Sequence, residues 1–431
     1  MGPAIVFSLL DGRTVQLEPR PFTPGETFIN YSVPIYDGQE EANLIEVAKS
    51  GHLAGGPWTE RWERRMVEFF GARDALLVNS GSSANLLMLA ALCNDSIREY
   101  GLEPLKPGDE VITVAMAFPT TVAPIVQNHL VPVFVDVEVG SYNPRPSVIE
   151  AAIGPKTRAV MLAHPLGNPF DLDAIQRICD KHKLYLVEDA CDALGSRWKR
   201  KLVGSFGLMA SLSHFPAHHI TSGEGGTVIV NSPKFPVLLR SLRDWGRACW
   251  CLPGASNTCG MRFEWQLGDL PAGTDHKYTY TNVGYNLKAT DMQASVLCAQ
   301  ADKIDFIVRR RQENFARLYS LLSCSAARNK FVRPMVDSRA SISPYAFPLT
   351  CVGVERSKVI AHLEQAKIET RPLFAGNLLR HPAFKSCVHR VHGGLDNTDR
   401  IMRDSFFVGV HPFLALEVMD YIAEQLVEAV R

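Results

Sequence analysis

The sequence predicts an α/β fold, with a large domain built on a mostly parallel sheet and a smaller α+β domain after it. Three observations lead there. Short apolar runs alternate with helical patterns from residue 58 to about 190, the rhythm of a parallel sheet covered on both faces. A stretch at 249–282, rich in Gly, Pro, Cys and Trp, breaks that rhythm. Beyond it, a long helical pattern leads into a second, shorter mixture of strands and helices. A chain of 431 residues has room for both units.

Taken in order, residues 58–70 carry apolar side chains at helical spacing, and 75–79 read as a buried strand. Ser80-Gly81-Ser82-Ser83 follows, then an apolar helix over 84–93. Runs 111–115, 131–137, 158–164 and 184–190 predict further strands. Between the last two, 171–182 predicts a helix with Asp171 near its start, where a carboxylate caps free amides. Helical character resumes near 288 and continues through 305–322. Strands at 345–351 and 368–374, a helix at 356–366 and an amphipathic helix at 414–430 complete the chain. This divides it into domains 1–310, which includes the irregular loop, and 311–431. There is no internal repeat and no low-complexity tract.

Composition narrows the function classes. Acidic and basic residues balance at 45 each, so no overall field favours nucleic acid or an anionic membrane. The start, Met1-Gly2-Pro3-Ala4-Ile5-Val6-Phe7, lacks the basic region and apolar core of a signal peptide. The most apolar stretch, 75–93, is interrupted by polar residues and does not suit a membrane span. Ten cysteines without an export signal read as reduced thiols in a cytoplasmic protein. Six of them, Cys93, Cys179, Cys298, Cys324, Cys351 and Cys387, read as small buried hydrophobes.

Several motifs carry chemistry. Ser80-Gly81-Ser82-Ser83 lies between a strand and a helix, where exposed amides and the helix dipole suit a phosphate; the same residues also make an ordinary turn and cap. Asp189 ends a buried strand, on the side where α/β proteins bind ligands, unless it caps a following helix. The run Ser213-His214-Phe215-Pro216-Ala217-His218-His219-Ile220-Thr221-Ser222-Gly223-Glu224-Gly225-Gly226 brings histidines together before a glycine-rich turn. Cys191, Cys249, Cys251 and Cys259 are spaced C-x57-C-x-C-x7-C. Four thiolates are the usual complement of an iron–sulfur cluster. Zinc also takes four thiolates, although this is not a zinc-ribbon spacing, and the loop has no apolar periodicity to make its cysteines core residues.

Together these motifs resemble the sugar aminotransferases of the DegT/DnrJ/EryC1/StrS family, over nearly the whole chain from about residue 28. The resemblance implies a fold-type I, pyridoxal-phosphate-dependent large domain of the aspartate aminotransferase kind. It implies that Ser82, Ser83 and Ser213 bind the cofactor phosphate, that Phe118 stacks on the ring, and that Asp189 pairs with the ring nitrogen. Asn286, in Gly284-Tyr285-Asn286-Leu287-Lys288-Ala289-Thr290-Asp291, matches a segment that reaches into the neighbouring subunit, which implies a homodimer with shared sites. The chain departs from the family at His218, where the Schiff-base lysine belongs. Histidine cannot make that covalent link, but it moves protons near neutral pH.

Pro216-Ala217-His218-His219-Ile220-Thr221 before Gly223-Glu224-Gly225-Gly226 resembles a narrower branch, the 3-dehydratases of nucleotide-linked 4-keto-6-deoxyhexoses. These use pyridoxamine 5'-phosphate (PMP) to remove the C3 hydroxyl, and the resemblance implies His218 as the base. His214-Phe215 stands where that pattern usually has Phe followed by another aromatic, which puts the packing around His218 in question. The cysteine spacing is similar to that of branch members acting on CDP-4-keto-6-deoxyglucose. It implies a [2Fe-2S] cluster fed by a flavin/iron–sulfur reductase, a ferredoxin or a flavodoxin. Rival readings are a cluster-free dehydratase that regenerates its cofactor from glutamate, a residual sugar aminotransferase, and a noncatalytic ligand-binding relative. The substrate is a CDP- or dTDP-linked 4-keto-deoxyhexose; Lys288 and Arg371 either bind its diphosphate or are solvated surface charges.

Overall fold

The computed structural model describes residues 5–8, 14–17, 21–251 and 255–431. Residues 1–4 of the N-terminal stretch and 252–254 of the irregular loop lie outside it. The large sheet takes strands β1 (Asp74–Val78), β2 (Glu110–Val114), β3 (Val131–Val135), β4 (Thr157–Ala163), β5 (Tyr185–Asp189), β6 (Met209–Ser213) and β7 (Gly226–Val230). A short edge strand, β8 (Arg390–Val391), joins them. Its spatial order is β8-β3-β2-β4-β5-β6-β7-β1. All neighbours run parallel except β7, which runs against both β6 and β1. The α/β fold with a mostly parallel sheet is therefore as the sequence predicts.

Burial on both faces explains the continuous apolar runs. Along β1, Leu76 and Val78 pack into one apolar cluster, and Ala75 and Leu77 into another on the opposite face. Successive strand side chains point to opposite faces, so only a sheet covered twice needs all four apolar. Helices form the two covers. Among them, Pro57–Phe70 buries Trp62, Met66 and Phe70 at helical spacing, and Leu172–His182 starts on Asp171, whose side chain accepts the Ala174 amide at 3.0 Å. A capping box of Thr290 and Gln293 opens the helix Asp291–Ala301. Among the described residues, no helix is long and apolar enough to cross a membrane.

A second sheet packs Phe331–Val332, Ala346–Cys351, Ser405–Gly409 and Thr370–Arg371, in that order, all antiparallel, under the closing helix Leu416–Glu428. The boundary proposed at 310 lies within the helix Ile304–Cys324. Two expectations need correction. The strand expected over 368–374 is only Thr370–Arg371, because Pro372 has no amide to continue the ladder and Phe374 turns away at φ 49°. Of the six cysteines expected in the core, Cys179, Cys298 and Cys351 are buried, but Cys324 is exposed and Cys93 and Cys387 are partly so.

Candidate active site

The C-terminal ends of β5 and β6, the turn after β1 and residues of the C-terminal unit enclose a cavity of about 670 Å³. That is within the range of small-molecule sites. Its wall carries Ser82, Phe118, Asp189, Ser213 and His218, five of the residues expected there from sequence, together with Cys191. No lysine lines it among the described residues.

The turn after β1 is built for close approach. Ser80 caps the helix Gly81–Leu92; its hydroxyl accepts the Ser83 amide at 3.0 Å and donates to the Ser83 hydroxyl at 2.9 Å. Ser83 is thereby engaged in the cap and does not reach the cavity wall, whereas Ser82 does. A side chain at Gly81 would meet Ser213 Cβ at 2.6 Å and Cys191 Sγ at 3.0 Å. Only glycine lets the helix N-terminus lie against β6, with its amides at the cavity.

Asp189 caps nothing, since a turn rather than a helix follows it. Its Oδ2 accepts from Asn85 Nδ2 at 2.8 Å and Thr121 Oγ1 at 2.7 Å; its Oδ1 accepts from Ser211 Oγ and the Cys191 amide, both at 3.2 Å. A carboxylate has about four lone-pair sites, so this one is oriented by its whole surroundings. Phe118, by contrast, is 55% exposed and lies on the cavity wall, an aromatic residue beside a fixed anion. An exposed aromatic residue, an anchored carboxylate and a helix N-terminus fit a planar, phosphate-bearing pyridine cofactor. Sequence reasoning missed Asn85 and Thr121, whose partner is distant in the chain.

The three histidines of the 213–226 segment separate cleanly. His214 is buried against the edge of Trp62, with Nε2 2.8 Å from Thr227 Oγ1, and burial pushes its pKa down to about 3. His219 is buried with Nε2 3.1 Å from the Ser343 carbonyl; burial, then the Arg311 charge, hold it well below the usual histidine value. Only His218 opens on the cavity. Its Nε2 lies 3.2 Å from Asp192 Oδ1, and its ring sits between Phe215 and Tyr345, with centroids at 6.4 and 5.5 Å. Sequence reasoning also missed Asp192, although a second carboxylate three residues after Asp189 was visible.

Three other expected residues lie differently. Arg371 is on the cavity wall, paired with Glu369 and 4.9 Å over the Tyr31 ring. Asn286 and Lys288 do not line the cavity of their own chain. Lys288 Nζ donates to Asn286 Oδ1 at 2.6 Å and lies 3.2 Å over the Trp245 ring. Burial pushes Lys288 down to about 8.

The four cysteines are not assembled as a metal site. Cys251 donates its amide to Cys249 Sγ at 3.4 Å, and Cys259 Sγ lies 3.3 Å from His276 Nε2. Cys191 is packed separately, 3.6 Å from Ser211 Oγ; burial, then Asp189, hold its thiol well above the usual value. Among the described residues, no three His, Cys, Asp or Glu side chains are gathered as a metal ion would require. In this arrangement the residues do not fit a four-thiolate cluster.

Comparison with known proteins agrees with the site. The chain is 46% identical over 417 residues to the lipopolysaccharide biosynthesis protein RfbH of Salmonella typhimurium, covering 96% of this chain and 94% of that one. It is 45% identical over 429 residues to the dTDP-4-dehydro-2,6-dideoxy-D-glucose 3-dehydratase of Saccharopolyspora spinosa, covering 99% and 91%. Its fold is similar to a solved structure of an E. coli GDP-4-keto-6-deoxy-D-mannose-3-dehydratase with bound hydrated PLP. That match has a TM-score of 0.83 at 26% identity and covers 93% of this chain and 100% of the other. Residues 34–427 match the DegT/DnrJ/EryC1/StrS aminotransferase family, and the chain belongs to it.

Proposed function

We propose that this protein is a nucleotide-sugar 3-dehydratase working with PMP, removing the C3 hydroxyl of an NDP-4-keto-6-deoxyhexose. One observation carries the reading: among the described residues, the cavity places His218 on its wall and no lysine. The dehydratase names of the similar proteins support it. When bound, the cofactor supplies an amine that joins the sugar ketone and a ring that takes up an electron pair.

The residues of this chain do the rest. Phe118 offers its side chain to the ring, and Asp189, held by four donors, meets the ring nitrogen. Ser82, Ser213 and the amides at the start of Gly81–Leu92 take the phosphate, with Ser83 keeping that turn closed. Asn286 completes the phosphate site from the neighbouring subunit of a cytoplasmic homodimer. His218 takes the acidified hydrogen and returns a proton to the departing hydroxyl, which leaves as water. Arg371, at the wall, faces the sugar diphosphate.

The [2Fe-2S] reading rests on the spacing of Cys191, Cys249, Cys251 and Cys259 and on its resemblance to the cluster-bearing dehydratase branch. Because no three metal-ligating side chains are gathered among the described residues, no step is routed through a cluster. That arrangement among the described residues supports a second reading, the cluster-free dehydratase that draws on glutamate. Iron and sulfide content after anaerobic purification separates this from a form coupled to a flavin/iron–sulfur reductase, ferredoxin or flavodoxin. The dehydratase reading itself is tested with CDP-, dTDP- and GDP-linked 4-keto-6-deoxyhexoses, PMP and either reductant. Loss of water at C3 from one of them is expected. Amino transfer to C4 with no dehydration would overturn it.

A further inference from the structure

Among the described residues, the cavity wall carries one arginine and no lysine, so Arg371 is its only permanent cation. The guanidinium is held on three sides. Nη2 pairs with Glu369, Nη1 donates to the Thr370 carbonyl at 3.0 Å, and the central carbon lies 4.9 Å from the centre of the Tyr31 ring. Those bonds engage two of the five N–H donors of a guanidinium. The two members of the ion pair are also placed unequally. Arg371 has a side chain 46% exposed and fronts the cavity, whereas Glu369 is 13% exposed and does not line it. An arriving anion therefore meets the cation, with most of its donors unused and its carboxylate partner off the wall.

Tyr31, also on the wall, comes from a segment far away in the sequence. Ile29 bridges to Ile368 in parallel; its amide donates to the Lys367 carbonyl at 2.8 Å and its carbonyl accepts the Glu369 amide at 2.9 Å. Two residues on, the Tyr31 amide donates to Glu369 Oε2 at 2.9 Å. One carboxylate thus fixes both the tyrosine and the guanidinium above it. Ser32 Oγ donates to the Ala217 carbonyl at 2.9 Å, beside His218, and the Tyr31 ring meets Phe407 edge-on at 5.8 Å. Gly409 leaves room for this segment, since a side chain there would meet the Tyr31 carbonyl oxygen at 2.5 Å. A ring so seated attracts the cation through its negative face. A planar cation held on a ring presents its remaining N–H groups in one fixed fork, the geometry that phosphate oxygens accept.

We propose that Tyr31 is the positioning residue for Arg371, and that the two form the subsite for the diphosphate of the nucleotide-linked substrate. The inference rests on the nucleotide-sugar reading and brings residues 29–32 into the site. Arg371 supplies the charge, and Tyr31 with Glu369 supplies its direction. No covalent bond changes there.

The test measures affinity by calorimetry on full-length protein loaded with PMP. The probes are CDP, dTDP, GDP and UDP, and separately L-glutamate, whose carboxylates are the other anion a cluster-free enzyme would admit. At least one diphosphate is expected to bind; binding of none overturns the proposal. In Arg371→Met its affinity should fall at least about tenfold, as hydrogen bonds to a charged group are lost, and the difference should shrink at high salt. Arg371→Lys keeps the charge without the plane and should also weaken binding; it serves where the first variant does not fold. Tyr31→Leu removes the ring and should lower affinity at least about threefold, whereas Tyr31→Phe keeps the ring and should stay within about twofold of the parent. With a processed substrate, the Tyr31→Leu loss should fall on KM more than on kcat. Affinity for free pyridoxal phosphate reports that each variant is folded. A smaller loss in Arg371→Met, equal affinities in Tyr31→Leu and Tyr31→Phe, or a loss confined to L-glutamate overturns the proposal. Amino transfer without dehydration, in a protein whose diphosphate affinity still depends on Arg371, sinks the dehydratase reading and leaves the subsite standing.

Discussion

Asn85 Nδ2 donates to Asp189 Oδ2 at 2.8 Å, joining the first helix of the phosphate turn to the end of β5 across 104 residues of chain. Thr121 adds a second donor to the same oxygen at 2.7 Å, so the carboxylate that should face the cofactor nitrogen cannot rotate freely. Asp189→Asn would turn an amide N–H₂ toward one pair of these donors, whichever way it flips. We expect a loss of about 1–3 kcal/mol in stability, read as a lowered Tm, and weaker retention of cofactor on dialysis. An unchanged Tm with full cofactor retention would show that the four hydrogen bonds do not fix the group.

Gly81 is the hinge of the phosphate turn. In Gly81→Ala the new methyl meets Ser213 Cβ at 2.6 Å and Ser213 Cα at 3.1 Å, and neither atom can swing aside. Overpacking of this kind costs about 1–3 kcal/mol. The helix N-terminus must also move away from Ser213, so affinity for free pyridoxal phosphate, measured by fluorescence titration, should fall with stability.

The acid limb of stability should bear the mark of His214. Its folded pKa is depressed to about 3, against about 6.5 for an unfolded histidine. Below about pH 6.5 the unfolded chain therefore binds a proton that the folded chain refuses. The stability that neutral His214 supports is present above pH 6.5 and is lost as pH falls toward 3. His219 shifts in the same direction. In His214→Gln, Tm plotted against pH should fall less steeply over that window than in the parent; equal slopes would contradict the assignment.

The cysteines give a fourth expectation. With Cys191 packed against Ser211 and no metal group gathered among the described residues, Cys191→Ser should leave the protein folded. If protein purified anaerobically contains iron and sulfide, Cys251→Ser should lose its visible absorption and any reductase-dependent turnover while cofactor exchange survives. Turnover with glutamate and no bound iron would favour the cluster-free reading.

The sequence made much of this legible for physical reasons. Strands β1 to β5 are apolar on both faces, so they stood out as runs, and Asp171 and Ser80 marked helix starts through their side-chain chemistry. The short strand Thr370–Arg371 was read too long because Pro372 and Phe374 end it through backbone geometry that apolarity does not reveal. Strands β6 and β7 flank the 213–226 segment and were not read, since motif residues dominate that stretch. In the site, Asp189 and His218 were readable because each sits in a run of recognisable residues. Asn85 and Asp192 were not, because each meets its partner only once the fold brings the two together. Ser83 was assigned to the phosphate, yet its hydroxyl faces Ser80, a distinction of rotamer that sequence cannot carry.

The central claim is that an imidazole, in place of a lysine, moves the proton. Its most direct measurement is deuterium incorporation at the PMP methylene, in the presence of a processed 4-keto sugar, for the parent protein and for His218→Asn. The account predicts incorporation by the parent and a fall of roughly 10²–10⁴-fold in the variant, with cofactor still bound. Equal incorporation in both would contradict it.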